Sequence, residues 1–323
     1  MPNFRTEIMA WIDAGNIEQE NAVTALRLVG VLPDASKWRA FLATLCLWLG
    51  TSSSAAALIF FEAYNWQDMP HISKLIHIEA AIVLSLAMFV REQAGSRIAT
   101  AALFMAIAAT GALLALVGQI YQTGADTYEL FSAWAAIALF WVVIGRSAVL
   151  WIVWLVIANL GLFFFVGTVF ASVPGGTNSP EVVAVFVFNA LALIAFQYVA
   201  SRNRSNTDTR WPVRAVSVAS AATATLMLAV GMLGFGGRGD LESLLAYAIW
   251  LALLLVFYRR VVIDVFILAV GILCTIVWVL TLLWKLLQPN LSFGLFLLAA
   301  LIILGVAAAA GKWLKLVAME QPR

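Results

Sequence analysis

The chain has 323 residues, of which 63% are hydrophobic and only 11% charged, and its mean hydropathy is +0.98. A soluble domain carries about a quarter charged residues, so the ordinary soluble classes are excluded. The formal net charge of +2 conceals a strong asymmetry that the order of the elements brings out.

Residues 1 to 38 read as a short cytoplasmic helical hairpin. FRTEIMAWIDAG places Phe4, Ile8, Trp11 and Ile12 at helical spacing and stops at Gly15, a usual helix-ending residue. NIEQENAVTALRLVG then opens on Asn16, a good N-cap with Gln19 three residues on, and ends at Gly30. Its apolar face is expected to pack on itself or lie on the membrane surface, with docking to a cytoplasmic partner as the alternative. No apolar segment followed by a small-residue cleavage site precedes residue 39, so no removable signal peptide is expected.

Ten apolar spans follow, at residues 40 to 61, 73 to 90, 98 to 120, 128 to 145, 148 to 170, 181 to 200, 212 to 233, 241 to 258, 261 to 284 and 291 to 311. About 20 residues suffice to cross a bilayer core roughly 30 Å thick. Lipid cannot satisfy open sheet edges and no alternating strand pattern occurs, so the fold class is all-α, a polytopic integral membrane helical bundle. The expected domains are the hairpin at 1–38, a membrane region at 39–145 holding spans one to four, and a C-terminal membrane region at 146–323 holding the rest.

Lys and Arg placement orients the chain, because cytoplasmic loops retain basic residues. With the N-terminus inside, sixteen basic residues fall on the cytoplasmic side and three, Lys74, Arg238 and Lys285, on the other. Both termini are therefore expected in the cytoplasm. The same assignment places nine acids inside and eight outside, giving a basic inner face and an acidic outer one. Topology and anionic lipid account for the basic face, so membrane lipid is the expected partner and nucleic acid is not. Cys46 and Cys274 fall inside spans, where a thiol acts as a small hydrophobe, and carry no redox reading.

Shifting the chain by 113 residues aligns Arg97 with Arg210, Gly118 with Gly231, Gly124 with Gly237, Glu129 with Glu242 and Arg146 with Arg259. Spans three to six and seven to ten are thus a candidate parallel four-helix repeat. Chance register between Ala- and Leu-rich helices is the competing explanation.

The polar-aromatic run GQIYQTGADTYELFSAW, residues 118 to 134, falls on the outer side between the third and fourth spans. Thr123 and Gly124 signal a turn, Asp126 stands at an N-cap position to accept the first helical amides, and Glu129 follows three residues later. Gln119, Tyr121 and Tyr128 suit the membrane interface. Capping and anchoring explain most of the run, and a ligand contact is the alternative.

GQIYQTGADTYELFSAWA, preceded by the segment containing WIDAGNIEQENA, resembles the bacterial membrane-protein family catalogued as domain of unknown function 2157. The resemblance covers roughly residues 8 to 145. It implies a bacterial inner-membrane location and an outward-facing position for Gly118, Gln119, Tyr121, Gly124, Asp126 and Trp134, and it assigns no reaction. Pairing with a second multi-pass membrane protein is a further implication.

Ionisable residues at membrane depth are costly and mark functional candidates. Glu79 lies about two turns inside the outer end of the second span, with His77 beside it, while Glu62, Asp68 and His71 flank the first outer loop. With Asp126, Glu129, Asp240 and Glu242 they are candidates for an outer acidic vestibule. His71 and His77 are six apart, off the spacing that puts two ligands on one helix face, so no metal site is expected. Asp264 follows Arg259 and Arg260 and is expected to pair with them at the cytoplasmic interface. Asn159 and Asn189 are expected to hydrogen-bond between helices, and Gly161, Gly167, Gly271, Gly294 and Gly305 to permit close helix packing.

The prolines fall in loops or at span ends, so nothing marks the broken helices of many transporters. Phosphate-loop, zinc-protease and serine-hydrolase motifs are absent from the sequence, and no cofactor is expected. The leading expectation is a non-enzymatic binding or scaffold subunit with Glu62, Glu79, Gln119, Tyr121, Asp126 and Glu129 as contact residues. The alternatives are a carrier for a small cation, amine or lipid that uses the outer acids, and an enzyme in which Glu62, Glu79 or Asp126 acts on an outward-facing lipid-linked substrate.

Overall fold

The structure is a computed structural model that describes residues 4–65, 67–170, 180–202, 210–232, 240–287 and 293–320. They form twelve α-helices and one short 3-10 turn, with no strand among the described residues. Nine of the helices are long and apolar enough to cross a membrane among the described residues. The tenth expected span is the helix Phe293–Glu320, whose first turns have side chains outside the described set. The protein is a polytopic helical membrane protein, and residues divide between two compact units.

The first unit runs through Leu116 and includes Ile144–Arg146. It opens with α1 (Phe4–Asp13) and α2 (Ala22–Leu28), with the 3-10 turn Gln19–Asn21 between them. Gly15 and Gly30 adopt φ of +75° and +78°, left-handed conformations that end each helix as their positions suggest. Asn16 does not cap α2: the 3-10 turn intervenes, and the residue before α2 is Asn21, whose side chain binds Glu18 instead. A Glu-rich stretch that closes its own local turn thus displaces the helix start by one turn. Ile8 is buried, whereas Trp11 is half exposed.

α3 (Ala35–Tyr64) starts at Asp34, whose carboxylate accepts from the Lys37 amide at 2.8 Å and the Ser36 hydroxyl at 2.8 Å. Those two bonds hold the Asp34 carboxyl below the ordinary carboxylate range. Lys37 Nζ also reaches the Gly30 carbonyl at 3.3 Å, fastening the hairpin to the first membrane helix. α4 (His71–Arg91) follows, and then α5 (Arg97–Tyr121). Arg97 donates to Thr44 and Phe104 meets Trp48 edge-on, linking α5 to α3. Only 6% of the apolar window of α3 and 11% of that of α4 is buried, against 50% for α5. Each of the first two membrane helices buries one narrow face, through Ala55 and Glu62 on α3 and Lys74, Ile78 and Ser85 on α4, and is exposed over much of the rest. Cys46 lies on α3 and is exposed, so it is not the buried thiol expected from its place in the span.

The second unit comprises Val117–Val143 and continues from Ser147. It holds α6 (Thr127–Gly145), α7 (Ala148–Phe170), α8 (Pro180–Arg202), α9 (Arg210–Met232), α10 (Asp240–Arg260), α11 (Val265–Leu287) and α12 (Phe293–Glu320). α9 is its centre and packs against α7, α8, α10 and α11. Small residues make that possible: Ser217, Ser220, Ala221 and Ala224 are all buried and let neighbouring backbones approach. One apolar cluster joins Leu155, Leu193, Val216, Leu254, Leu268 and Val317 from six helices, and a second gathers Phe186, Leu228, Tyr247 and Cys274.

Gly161 meets the α6 backbone, where an added Cβ would lie 3.3 Å from the Ser132 nitrogen, and Gly271 is tight against Leu254 and Leu255. Gly167 and Gly305 make no such close approach, and Gly294 lies outside the residues with described side chains. Their helices leave room there, so these glycines are not packing requirements. Asn159 and Asn189 exchange hydrogen bonds of 2.6 and 3.3 Å across α7 and α8, as their positions suggest.

Helix starts at Arg97, Thr127 and Pro180 recur 113 residues later at Arg210, Asp240 and Phe293. Ala148 has its counterpart four residues late, at Val265 rather than at 261. The delay comes from Asp264, which accepts from the Phe266 amide at 3.0 Å and the Ile267 amide at 3.4 Å and so caps α11. Asp264 does not pair with Arg259 or Arg260. It takes Arg214 through Nε at 3.2 and 3.1 Å, with Arg210 at 3.8 Å, while Arg259 binds Glu320 at 2.6 Å. Residues 261 to 264 turn the chain back, which brings Asp264 to the start of α9 rather than to the end of α10.

Candidate functional site

Glu62 lies in the last turn of α3, one turn after Leu58 and two after Ala55 on the face that α3 buries. Its side chain is 6% exposed. His77 on α4 places Nδ1 3.1 Å from Glu62 Oε1, and its ring meets Phe61 edge-on. The imidazole is 45% exposed, so the pair has one buried and one accessible end. The other carboxylate oxygen, Oε2, is buried without a hydrogen-bond partner. A buried carboxylate ordinarily has both oxygens satisfied, because an unpartnered one bears a desolvation cost. This pair was not an expected contact: fifteen residues separate its members, and only the antiparallel return of the chain through α4 joins them.

Lys74 lies one turn before His77 and is almost wholly buried, together with Ile78 and Ser85 on the same face of α4. Glu79 is on the opposite side. It is exposed, along with Ile72, Ile76, Val83 and Leu84, and makes no hydrogen bond or ion pair among the described residues. Glu79 is thus not packed and satisfied within its own chain among the described residues, as a scaffold whose acids are structural would have it. Glu79 begins the third turn of α4, roughly 12 Å along it at 1.5 Å per residue. Asp68 and His71 are exposed, and neither joins the Glu62–His77 pair.

In the second unit, Gln122 and Gly124 adopt φ of +46° and +66°, and the Thr123 amide binds the Gly118 carbonyl at 3.3 Å, which closes α5 and turns the chain. Asp126 does not cap α6 through its side chain. Glu129 folds back instead, and its carboxylate accepts from the Asp126 amide at 3.2 Å. This is the reciprocal half of a capping box, in which the third helical residue serves the residue before the helix. Tyr128 meets Phe165 edge-on, and Phe131 stacks between Trp134 and Phe164, so the aromatics anchor α6 to α7. Gln119 and Tyr121 are exposed. The side chains of Asp240 and Glu242 lie outside the described residues. No three His, Cys, Asp or Glu among the described residues group closely enough to hold a metal ion.

Residues 9–151 match the family model described as a predicted membrane protein, DUF2157. The matched stretch takes in most of the N-terminal hairpin, α3 to α6, the Glu62–His77 pair and the whole turn at 118 to 129. No curated protein and no solved structure gave a match. The family description adds a membrane setting and no reaction.

Proposed function

We propose that this protein is a non-enzymatic subunit of the bacterial inner membrane, with both termini cytoplasmic, that holds a second multi-pass membrane protein against the outward face of α4. The observation that carries the reading is Glu79, exposed and unpaired among aliphatic side chains at membrane depth. A carboxylate facing lipid there costs about 2.5–3.5 kcal/mol even on the mildest scales. A neighbouring helix that brings a hydrogen-bond donor or a cation removes that cost, and the aliphatic residues around Glu79 supply the packing surface. The basic inner and acidic outer loops support the orientation.

The test places a photo-reactive residue at Ile76 or Val83 in intact membranes. A single membrane-protein adduct in the wild type that disappears in Glu79→Leu is the expected result. Crosslinks to lipid alone, or an adduct indifferent to Glu79→Leu, would remove the proposal. A carrier is the second reading, favoured by the buried, unpartnered Oε2 of Glu62 beside an accessible imidazole, which is an arrangement suited to taking up a proton or a small cation.

A further inference from the structure

The C-terminal halves of α8 and α10 line one cavity, residues 190 to 201 facing residues 250 to 262. Its volume is about 560 Å³. Leu193, Leu254 and Tyr258 form its deep wall and Ile194, Leu253 and Val261 its outward lips. Along α8 it extends from Ala190 to Ser201, roughly 17 Å at 1.5 Å per residue. That length is close to half of a bilayer core about 30 Å thick.

The two ends of the cavity differ in chemistry. The end nearer Ala190 and Trp250 is wholly apolar, whereas the opposite end holds Gln197, Tyr198, Ser201 and Tyr258. Tyr258 donates its hydroxyl to Gln197 Oε1 at 3.1 Å, which leaves the Gln197 amide N–H groups as donors at the wall. Arg202 sits with Cζ 4.9 Å above the Tyr198 ring, so a guanidinium is fixed at the rim. Arg260, the last residue of α10, is exposed and adjoins the lining residues Val261 and Val262. An apolar slot one leaflet deep with two arginines at its mouth has the charge and polarity order of a phospholipid seen from tail to headgroup.

We propose that the α8–α10 groove holds one acyl chain of an anionic phospholipid, with Gln197 donating to the ester region and Arg202 and Arg260 receiving the phosphate. The site is independent of the Glu79 face, and its failure would leave that reading untouched.

The test is native mass spectrometry of the purified full chain in mild detergent, titrated with phosphatidylglycerol or phosphatidylcholine of identical chains. The wild type should prefer the anionic lipid by roughly thirty-fold, the effect of two arginines near a headgroup. Arg202→Gln with Arg260→Gln should bind both lipids equally. Leu253→Trp, which fills the slot, should bind neither, while Val199→Trp, on an exposed face outside the groove, should behave as wild type and shows that an added indole is tolerated. Equal binding of the two lipids by the wild type would overturn the proposal. So would competition by inorganic phosphate at lipid-like concentration, or a dimer or partner complex that Leu253→Trp dissociates.

Discussion

Asp264 and Glu62 are both nearly inaccessible carboxylates near the end of a membrane helix, and they are treated in opposite ways. Asp264 has two arginines and two backbone amides, so its lone pairs are used and its charge is matched. Glu62 has one imidazole and an oxygen with no partner. The first arrangement is a structural joint that ties α9 to the start of α11. The second leaves capacity unspent. The helices around them differ in the same sense, because 44% of the apolar window of α9 is buried against 6% of that of α3. The helix α9 is thus buried on several sides by its neighbours, and α3 and α4 bury far less of themselves.

Removing the satisfied acid should have the largest effect. Asp264→Ala should lower the stability of the detergent-solubilised protein by about 3 kcal/mol, at the lower end for a broken buried pair because Arg214 remains 41% exposed. Thermal unfolding would report it, and a shift no larger than that of a surface substitution would mean that Asp264 is not a joint. Asn189→Leu tests the same bundle with a neutral pair. Membrane double-mutant cycles place such hydrogen bonds at about 0.6–1.7 kcal/mol, and Asn159→Leu should add little once Asn189 is gone. Full additivity of the two would separate them. Glu62→Gln should change stability least, by about 0.5 kcal/mol or less in either direction, since the amide still reaches His77 and that imidazole is 45% exposed to solvent or lipid headgroups. A loss equal to that of Asp264→Ala would erase the distinction between the two acids.

Much of the architecture was legible because bilayer thickness imposes a length and a polarity on every span. All ten expected spans correspond to helices, and most ends agree within about three residues. Two of the departures have a local cause, and the last helix simply runs on to Glu320, nine residues past the apolar span. Asp264 delays α11 inside a continuous apolar run, and the 3-10 turn at Gln19–Asn21 delays α2. At the candidate site, the turn at Gly124 and the anchoring aromatics were readable from residue type. The direction of the cap was not: Asp126 and Glu129 carry the same chemistry, and only backbone geometry decides which carboxylate accepts.

Residue types and their order were enough for the membrane class, the helices and the need of Asn159 and Asn189 for hydrogen bonds between helices, because each follows from transfer energetics or from a polar group that must find a partner in lipid. The tertiary structure alone decided that Glu62 meets His77, that Asp264 belongs to Arg214, that Glu79 faces outward and that α8 and α10 leave a slot between them. Helical spacing says which residues share a face of one helix. Which face meets which neighbour depends on packing among many helices at once, and no local pattern carries that information.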